Sequence, residues 1–452
     1  MTEHDLIVVG MGPAGEEVAG QAAAAGLDVL GVERKLVGGE CPYWGCIPSK
    51  AMVRAGNSLA EAARVTGLAG KTAIEADWAP VAARVRDMTA GWSDEIAVER
   101  HEKKGGRFVR GAAHVVGPRA VEVNGVSHSA RRGIVLATGT EPLIPPIEGL
   151  DDVEIWTNRE AIEAQTLPDS LLILGGGPVG LELGQTFARF GTKVTIVEGA
   201  AHVLPLEEPE NGAALGDALR AEGIEILNGA RGERVARARD GIAVELTDGS
   251  RIEGERLLVA TGRRPSIAGI GLETIGVDPD ARSIEVDEHM RAGEGLWAVG
   301  DITGKGMFTH VAMYQARIAS ADILGREHQP ADYSAVPRVT FTDPEVASVG
   351  MSERVAREAG ITLRTGVATT SSSARGWIHG PGAEHGVAKV VIDADRDILV
   401  GASVMGPAAG EVLGLLVLAI KAKIGISTLR AMIYPYPTFV RGLEDALREA
   451  AG

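Results

Sequence analysis

A chain of 452 residues is longer than one hydrophobic core usually holds, so two or three domains are expected. Its 45% apolar content and 60 glycines suit a turn-rich α/β protein. Acidic residues outnumber basic ones 61 to 45 with no basic block, which argues against nucleic acid or an anionic membrane as a partner and leaves a soluble protein.

Residues 5–33 read as strand, glycine turn, helix and strand, with Gly10, Gly12 and Gly15 in the turn and Glu33 closing the second strand. Glycines so placed permit a tight turn and bring backbone N–H groups close to a pyrophosphate at a helix start, while Glu33 can accept from a ribose hydroxyl. That is a dinucleotide site. Met1–Asp5 carries neither a basic stretch nor a cleavage site, and the apolar run Val412–Ile420 falls far short of the roughly 20 residues that span a bilayer. With two cysteines in all, the chain is expected in the reducing cytoplasm, where a disulfide is usually catalytic or redox-sensing.

Both cysteines lie in one stretch, Gly38-Gly39-Glu40-Cys41-Pro42-Tyr43-Trp44-Gly45-Cys46-Ile47-Pro48-Ser49-Lys50. A dithiol that opens and closes needs its partner within bonding reach, so Cys41 and Cys46 point to reversible disulfide chemistry, although the spacing alone also suits inert thiols. A helix is predicted from Ser49 to about Val65, with Lys50 on its first turn. Short strands follow over 107–139 and close on Ala137-Thr138-Gly139; the proline-rich run Glu141–Pro146 is stiff and marks a domain boundary.

Residues 171–198 then repeat the first unit, with Gly175, Gly177 and Gly180 in the turn and Glu198 at the end of the second strand. Two dinucleotide folds in one chain indicate a two-nucleotide enzyme. Glu198 suits two free ribose hydroxyls and repels a 2′-phosphate, and Gly199-Ala200-Ala201-His202 offers no arginine to hold one, so NADH is expected over NADPH. A second Ala-Thr-Gly run ends at Gly262. Gly295–Gly300 is a strand that leads into Asp301. From Val336 the text changes to the segment Pro337–Gly350, followed by alternating strands over 361–404 and an apolar helix over 410–422.

The dithiol stretch with its glycines and Ile-Pro-Ser-Lys flank, the paired glycine turns, both Ala-Thr-Gly runs, Gly300-Asp301 and the Pro337–Gly350 segment together resemble the flavin-dependent pyridine nucleotide-disulfide oxidoreductases. That is the family of dihydrolipoamide dehydrogenase, glutathione reductase and mercuric reductase, and the resemblance covers nearly the whole chain. It implies an α/β fold with two Rossmann-like dinucleotide-binding domains, for FAD and NAD, and a C-terminal α+β dimerisation domain. The FAD-binding domain would be discontinuous, residues 1–149 and 265–335; residues 150–264 would bind NAD and 336–452 would form the interface of a homodimer whose active sites lie between subunits. It further implies that Cys46 lies against the flavin as the charge-transfer thiolate while Cys41 exchanges with substrate, and that Lys50 sits beside the flavin N5, paired with Glu182. The backbone of Ala113 would face the adenine, Thr138 and Gly139 would line the FAD site, and Asp301 would hold the ribityl chain. Gly175, Gly177, Gly180, Glu198 and Gly262 would serve the nicotinamide cofactor. No metal site is read from the sequence.

The chain also departs from the family pattern. Pro178 stands where some members carry a gating tyrosine, and Ser266 where asparagine is usual. Where the disulfide reductases carry His-x-His-Pro-Thr and a following glutamate, this chain has Tyr434-Pro435-Tyr436-Pro437-Thr438 and then Arg441, and none of its ten histidines lies beyond His385. A tyrosine titrates near 10 against about 6.5 for histidine, so Tyr436 donates a proton at neutral pH but accepts one poorly. Weak dihydrolipoamide dehydrogenase activity is therefore expected. The Tyr436 segment resembles that of mercuric reductase, but no cysteine follows it, so efficient mercury handling is not expected either. Tyr43 and Trp44 either shape an apolar acceptor site or pack. The resulting expectation is electron transfer from NADH through FAD to Cys46, then Cys41, then a small-molecule acceptor: a disulfide, a quinone or a metal ion. The alternatives are a dihydrolipoamide dehydrogenase with relocated proton transfer and a redox-sensing flavoprotein.

Overall fold

The apolar runs at Leu6–Val9 and Val29–Val32 lie side by side as parallel strands, with Leu6 opposite Val29 and Val9 opposite Val32. Their near-continuous hydrophobicity fits strands buried on both faces. The computed structural model describes residues 2–451 and divides them into two units.

The first unit comprises Met1–Pro48, Arg84–Leu143 and Arg263–Asp332. Its sheet has eight strands, and the central path runs Arg291–Gly293, Leu296–Ala298, Val126–Leu136, Thr2–Val9, Val29–Glu33 and Arg107–Arg110. Ala113–Gly117 and Ala120–Val123 form a hairpin that joins Val126–Leu136 in antiparallel fashion. The core lies between the sheet and this hairpin, around Ile7, Leu30, Val115, Val121, Leu136 and Leu272. Helices Pro13–Ala24 and Thr309–Ile323 also belong to this unit. Gln315 ties the second of them to the strand end: its side chain accepts from Gly300 N at 2.7 Å and donates to the Thr303 hydroxyl at 2.9 Å.

The second unit comprises Ser49–Ala83, Ile144–Gly262 and Tyr333–Gly452. A four-stranded parallel sheet runs in the order Glu225–Asn228, Lys193–Glu198, Ser170–Leu174 and Arg256–Val259, backed by a three-stranded antiparallel sheet over residues 232–254. A five-stranded antiparallel sheet, in the order Pro337–Thr340, Glu345–Gly350, Ile398–Gly406, Val387–Asp393 and Leu363–Thr369, packs on helix Ala409–Lys421 through Val412, Leu413, Leu416 and Ile420. The predicted run of strands over 361–404 is interrupted by a short helix, Ala374–His379.

The helix after the dithiol spans Cys46–Leu68, so it begins three residues earlier than predicted and ends three later. Pro48 is tolerated because it lies in the first turn, where backbone N–H groups have no intrahelical acceptor. Within the second unit the helix is anchored by Arg189, which donates to Asn57 at 2.6 Å, and by Arg64, which pairs with Asp343 at 2.7 Å.

Candidate active site

Each glycine turn is shaped by contacts that leave no room for a side chain. A Cβ on Gly10, where φ is +93°, would lie 2.4 Å from Ala137 O, and one on Gly15 would lie 1.9 Å from Gly10 O. The second turn repeats this arrangement: a Cβ on Gly175 would meet Ala260 O at 2.4 Å, and one on Gly180 would meet Gly175 O at 2.3 Å. Pro13 and Pro178 start the following helices, with Gly12 and Gly177 as N-caps. No heavy atom lies within 4 Å of a Cβ built on Gly177, Gly139 or Gly262, and on Gly12 the nearest is Gly39 Cα at 3.9 Å. A ligand backbone can approach through that space.

The strand-end carboxylates brace these turns. Glu33 accepts from Met11 N at 2.9 Å and from Lys35 N at 2.7 Å; Glu198 accepts from Gly176 N at 2.8 Å and from Ala200 N at 2.7 Å. A carboxylate has about four acceptor positions, so each retains capacity for ribose hydroxyls.

The dithiol lies in the first unit. Glu40–Tyr43 forms one helical turn carrying Cys41, and Cys46 opens the next helix. The Cys46 sulfur is 3.4 Å from the hydroxyl of Thr309, the first residue of helix Thr309–Ile323. The Cys41 thiol is pushed well above its usual range, first by its hydrogen bond with Cys46 and then by burial. Tyr43 is packing: its ring is buried and its hydroxyl donates to Val37 O at 3.1 Å.

Asp301 follows the strand Leu296–Ala298 and accepts from the Thr140 hydroxyl at 2.9 Å. Burial pushes its carboxyl upward against the opposing effects of Thr140 and Arg263. Arg263 in turn donates to Thr140 Oγ1 at 2.8 Å and lies 3.7 Å from Glu40, the residue before Cys41. Ser266 N donates to Gly139 O at 2.9 Å. Thr138 Oγ1 is buried with no hydrogen-bond partner, and Ala113 is buried opposite Val123.

Lys50 follows Cys46 on the same helix, and its contacts lie in the second unit. Its ammonium pairs with Glu182 at 2.7 Å and stands 4.9 Å from the centre of the Phe341 ring. Glu182, 4% exposed, is held by its other oxygen, which accepts from Phe341 N at 2.9 Å. Tyr436 is different in kind, with 70% of its surface exposed. The Arg441 guanidinium lies 5.4 Å from the centre of its ring and also pairs with Glu444 at 2.8 Å.

These features converge on one family. The family model for pyridine nucleotide-disulphide oxidoreductases matches residues 4–316, and the model of that family's dimerisation domain matches residues 336–447. The chain is a class I pyridine nucleotide-disulfide oxidoreductase. It is an FAD-dependent enzyme that uses a pyridine nucleotide, with the FAD and NAD folds and dimerisation domain of the family. It is 37% identical to dihydrolipoyl dehydrogenase of Thermus scotoductus, over 99% of this chain and 97% of that protein. It is 34% identical to mercuric reductase of Bacillus cereus, over 98% of this chain and 71% of that protein. Among solved structures, the Cu(II) complex of the HOCl-induced flavoprotein disulfide reductase RclA from Escherichia coli matches with a TM-score of 0.86 at 26% identity, covering 98% of this chain and 99% of that one. LpdA from Mycobacterium tuberculosis matches with a TM-score of 0.85 at 27% identity, covering 99% of both chains. No helix among the described residues is long and apolar enough to cross a membrane.

The residues of the first unit fit FAD on their own evidence. The open glycine cradle, the orphaned Thr138 hydroxyl and the buried Asp301 carboxyl are all polar or spatial features without a protein group to use them fully. Thr309, Thr140, Arg263 and Phe341 escaped sequence reading.

Proposed function

We propose that the protein passes two electrons from NADH to a small acceptor through the Cys41–Cys46 dithiol. The observation that carries this reading is the hydrogen-bonded thiol pair with Thr309 against Cys46. FAD, held by residues 1–149 and 265–335 through Gly10, Gly12, Gly15, Glu33, Ala113, Thr138, Gly139 and Asp301, supplies when bound the relay from nicotinamide to disulfide. NADH binds over residues 150–264, against Gly175, Gly177, Gly180 and Gly262, with Glu198 selecting it over NADPH.

The starts of two helices, one at Cys46 and the other at Thr309 beside it, favour negative charge at Cys46, because the positive end of a helix dipole lies at its N-terminus. Cys46 therefore holds the thiolate and Cys41 the proton. With a disulfide acceptor, the Cys41 sulfur bonds to one acceptor sulfur and the acceptor S–S bond breaks. Cys46 then attacks Cys41, closes the enzyme disulfide and releases the second acceptor thiolate. Two protons complete the product thiols: one starts on Cys41, and the phenol of Tyr436 of the partner subunit supplies the other before recovering it from solvent. Lys50 holds positive charge at the start of the dithiol helix, and Glu182 and Phe341 fix its position. The active assembly is a homodimer and works in the cytoplasm.

A second reading, NAD-dependent oxidation of dihydrolipoamide, is favoured by full-length similarity to the dihydrolipoyl dehydrogenase of Thermus scotoductus. It is disfavoured by Tyr436, which is a poor proton acceptor at neutral pH. NADH oxidation should be followed with lipoamide, glutathione disulfide, a benzoquinone and mercuric ion, with Cys41→Ser in parallel. Turnover with a disulfide or metal acceptor that drops to background in Cys41→Ser is the expected result. Reaction with the quinone alone, undiminished in the variant, would remove the dithiol from the catalytic route. Dihydrolipoamide oxidation faster than every NADH-driven reduction would select the second reading.

A further inference from the structure

Away from the dithiol, three chain segments of the first unit bring His289, Asp322 and His328 together. One ligand atom from each lies within 4.8 Å of the other two. Asp322 sits on the last turn of helix Thr309–Ile323, and His328 follows that helix. His289 rides on a turn pinned by Asp287, whose carboxylate accepts from His289 N and Arg291 N, each at 2.9 Å.

The hydrogen bonds around the cluster leave its lone pairs facing one another. Asp322 Oδ2 is fully engaged, accepting from Arg291 Nε at 2.8 Å and Trp297 Nε1 at 2.8 Å. Its Oδ1 accepts only from Arg291, at 2.6 Å, and keeps a lone pair. His328 Nδ1 lies 3.1 Å from Gln329 O, where it donates, and this leaves Nε2 as the bare nitrogen, 3.9 Å from Asp322 Oδ1. His289 Nδ1 is buried without a hydrogen-bond partner, although the side chain as a whole is 36% exposed. The two imidazoles stand edge to face, their centres 5.0 Å apart.

Two nitrogens and an oxygen gathered this way offer a ligand set, and their surroundings resemble the outer shell of a metal site. A ligating histidine characteristically donates its other N–H to a carbonyl, and a ligating carboxylate is itself hydrogen-bonded. Bonds of about 2.0–2.2 Å to a tetrahedral ion would place the ligand atoms about 3.4 Å apart. The remaining closure is small and falls on His289, the most exposed of the three.

We propose that His289, Asp322 and His328 bind a divalent first-row transition cation of the zinc class, with water in the open positions. Two imidazoles and one carboxylate select against magnesium and calcium, which require more oxygen ligands. The ion would staple the 287–291 turn to the end of the helix and the chain beyond it. It lies outside the electron route described above, and Arg291, by sharing the carboxylate, keeps the affinity below that of an all-thiolate site.

The test uses oxidised holoenzyme, in which the closed disulfide withholds both thiols from the metal. Zinc(II) is titrated by calorimetry, and the thermal midpoint is recorded with and without it. The expected result is one ion per chain and a midpoint that rises with zinc, as binding to the native state requires. His289→Gln and His328→Gln should each weaken binding by at least about 10-fold and remove the midpoint shift, with flavin content and NADH oxidation unchanged. His289→Gln, on an exposed turn, keeps the test decisive if His328→Gln loses flavin. Absence of zinc uptake by the wild type, or uptake retained by His289→Gln, would overturn the assignment.

Discussion

The two glycine turns are built alike and furnished differently. Both close on an alanine carbonyl, both begin a helix with proline, and both are braced by a strand-end glutamate. Around the first turn the chain folds back to deliver the dithiol: Gly38 N donates to Met11 O at 2.7 Å, and a Cβ on Gly39 would lie 2.9 Å from Gly12 Cα. The dithiol loop is therefore packed directly on the first glycine turn. Around the second turn the returning chain, through Leu204 N to Gly176 O at 2.9 Å, leads instead into Glu207, Glu208 and Glu210. There Lys389, 3% exposed on the five-stranded sheet, pairs with Glu208 at 2.9 Å and with Glu210 and Glu353 at 2.8 Å each. One turn carries the dithiol loop, and the other is bolted to the C-terminal sheet.

If that bolt matters, Lys389→Met should have the largest effect. It leaves three carboxylates without their buried cation, which costs on the order of 3–5 kcal/mol. Thermal unfolding should report the loss in the apoprotein. In Lys389 burial works against the charge, but the hydrogen bonds it donates to Glu210, Glu353 and Glu208 hold its pKa well above the ordinary lysine range. A raised folded pKa contributes stability in full below the unfolded value of roughly 10.5, and that contribution is lost only as pH rises through the folded one. The Lys389 contribution should therefore be flat between about pH 7 and pH 9, and a wild-type advantage over Lys389→Met that shrinks across that window would sink this account.

A matched pair of overpacking substitutions separates the duties of the turns. Gly15→Val and Gly180→Val both force a side chain onto a carbonyl, at a typical cost of about 1–3 kcal/mol, or roughly 5- to 150-fold in an equilibrium. Gly15→Val should lower flavin retained per chain. Gly180→Val should keep its flavin and lose rapid reduction by NADH, read as slower bleaching of the flavin band. The reverse pattern would exchange the assignments.

The smallest change tests the braces. Glu198→Gln keeps one acceptor and removes the charge, so the NADH to NADPH ratio of kcat/KM should fall by about 10-fold, the scale of one charge-assisted hydrogen bond. Glu33→Gln should leave that ratio untouched. An unchanged ratio in Glu198→Gln would remove the carboxylate as the selector.

The turns, the dithiol and the Ala-Thr-Gly runs were legible because their geometry is local. A tight turn requires glycine where φ is positive, and a dithiol requires two cysteines within reach. The dithiol helix starts three residues earlier than expected, at Cys46, because its first turn accommodates Pro48. Tyr43 and Trp44 left two readings open, and only burial and the bond to Val37 resolved Tyr43 as packing.

By itself, then, the sequence determined the family, the α/β architecture with its two dinucleotide folds and C-terminal dimerisation domain, and the neighbourhood of Cys41 and Cys46 in one stretch, because each depends on residues adjacent in the chain. Tertiary structure alone decided which distant groups meet. Thr309 reaches Cys46 across 263 positions, and Phe341 reaches Glu182 across 159. The threefold pairing of Lys389 and the meeting of His289 with Asp322 and His328 belong to the same class. Such contacts are fixed by how sheets and helices pack, and sequence spacing carries no record of them.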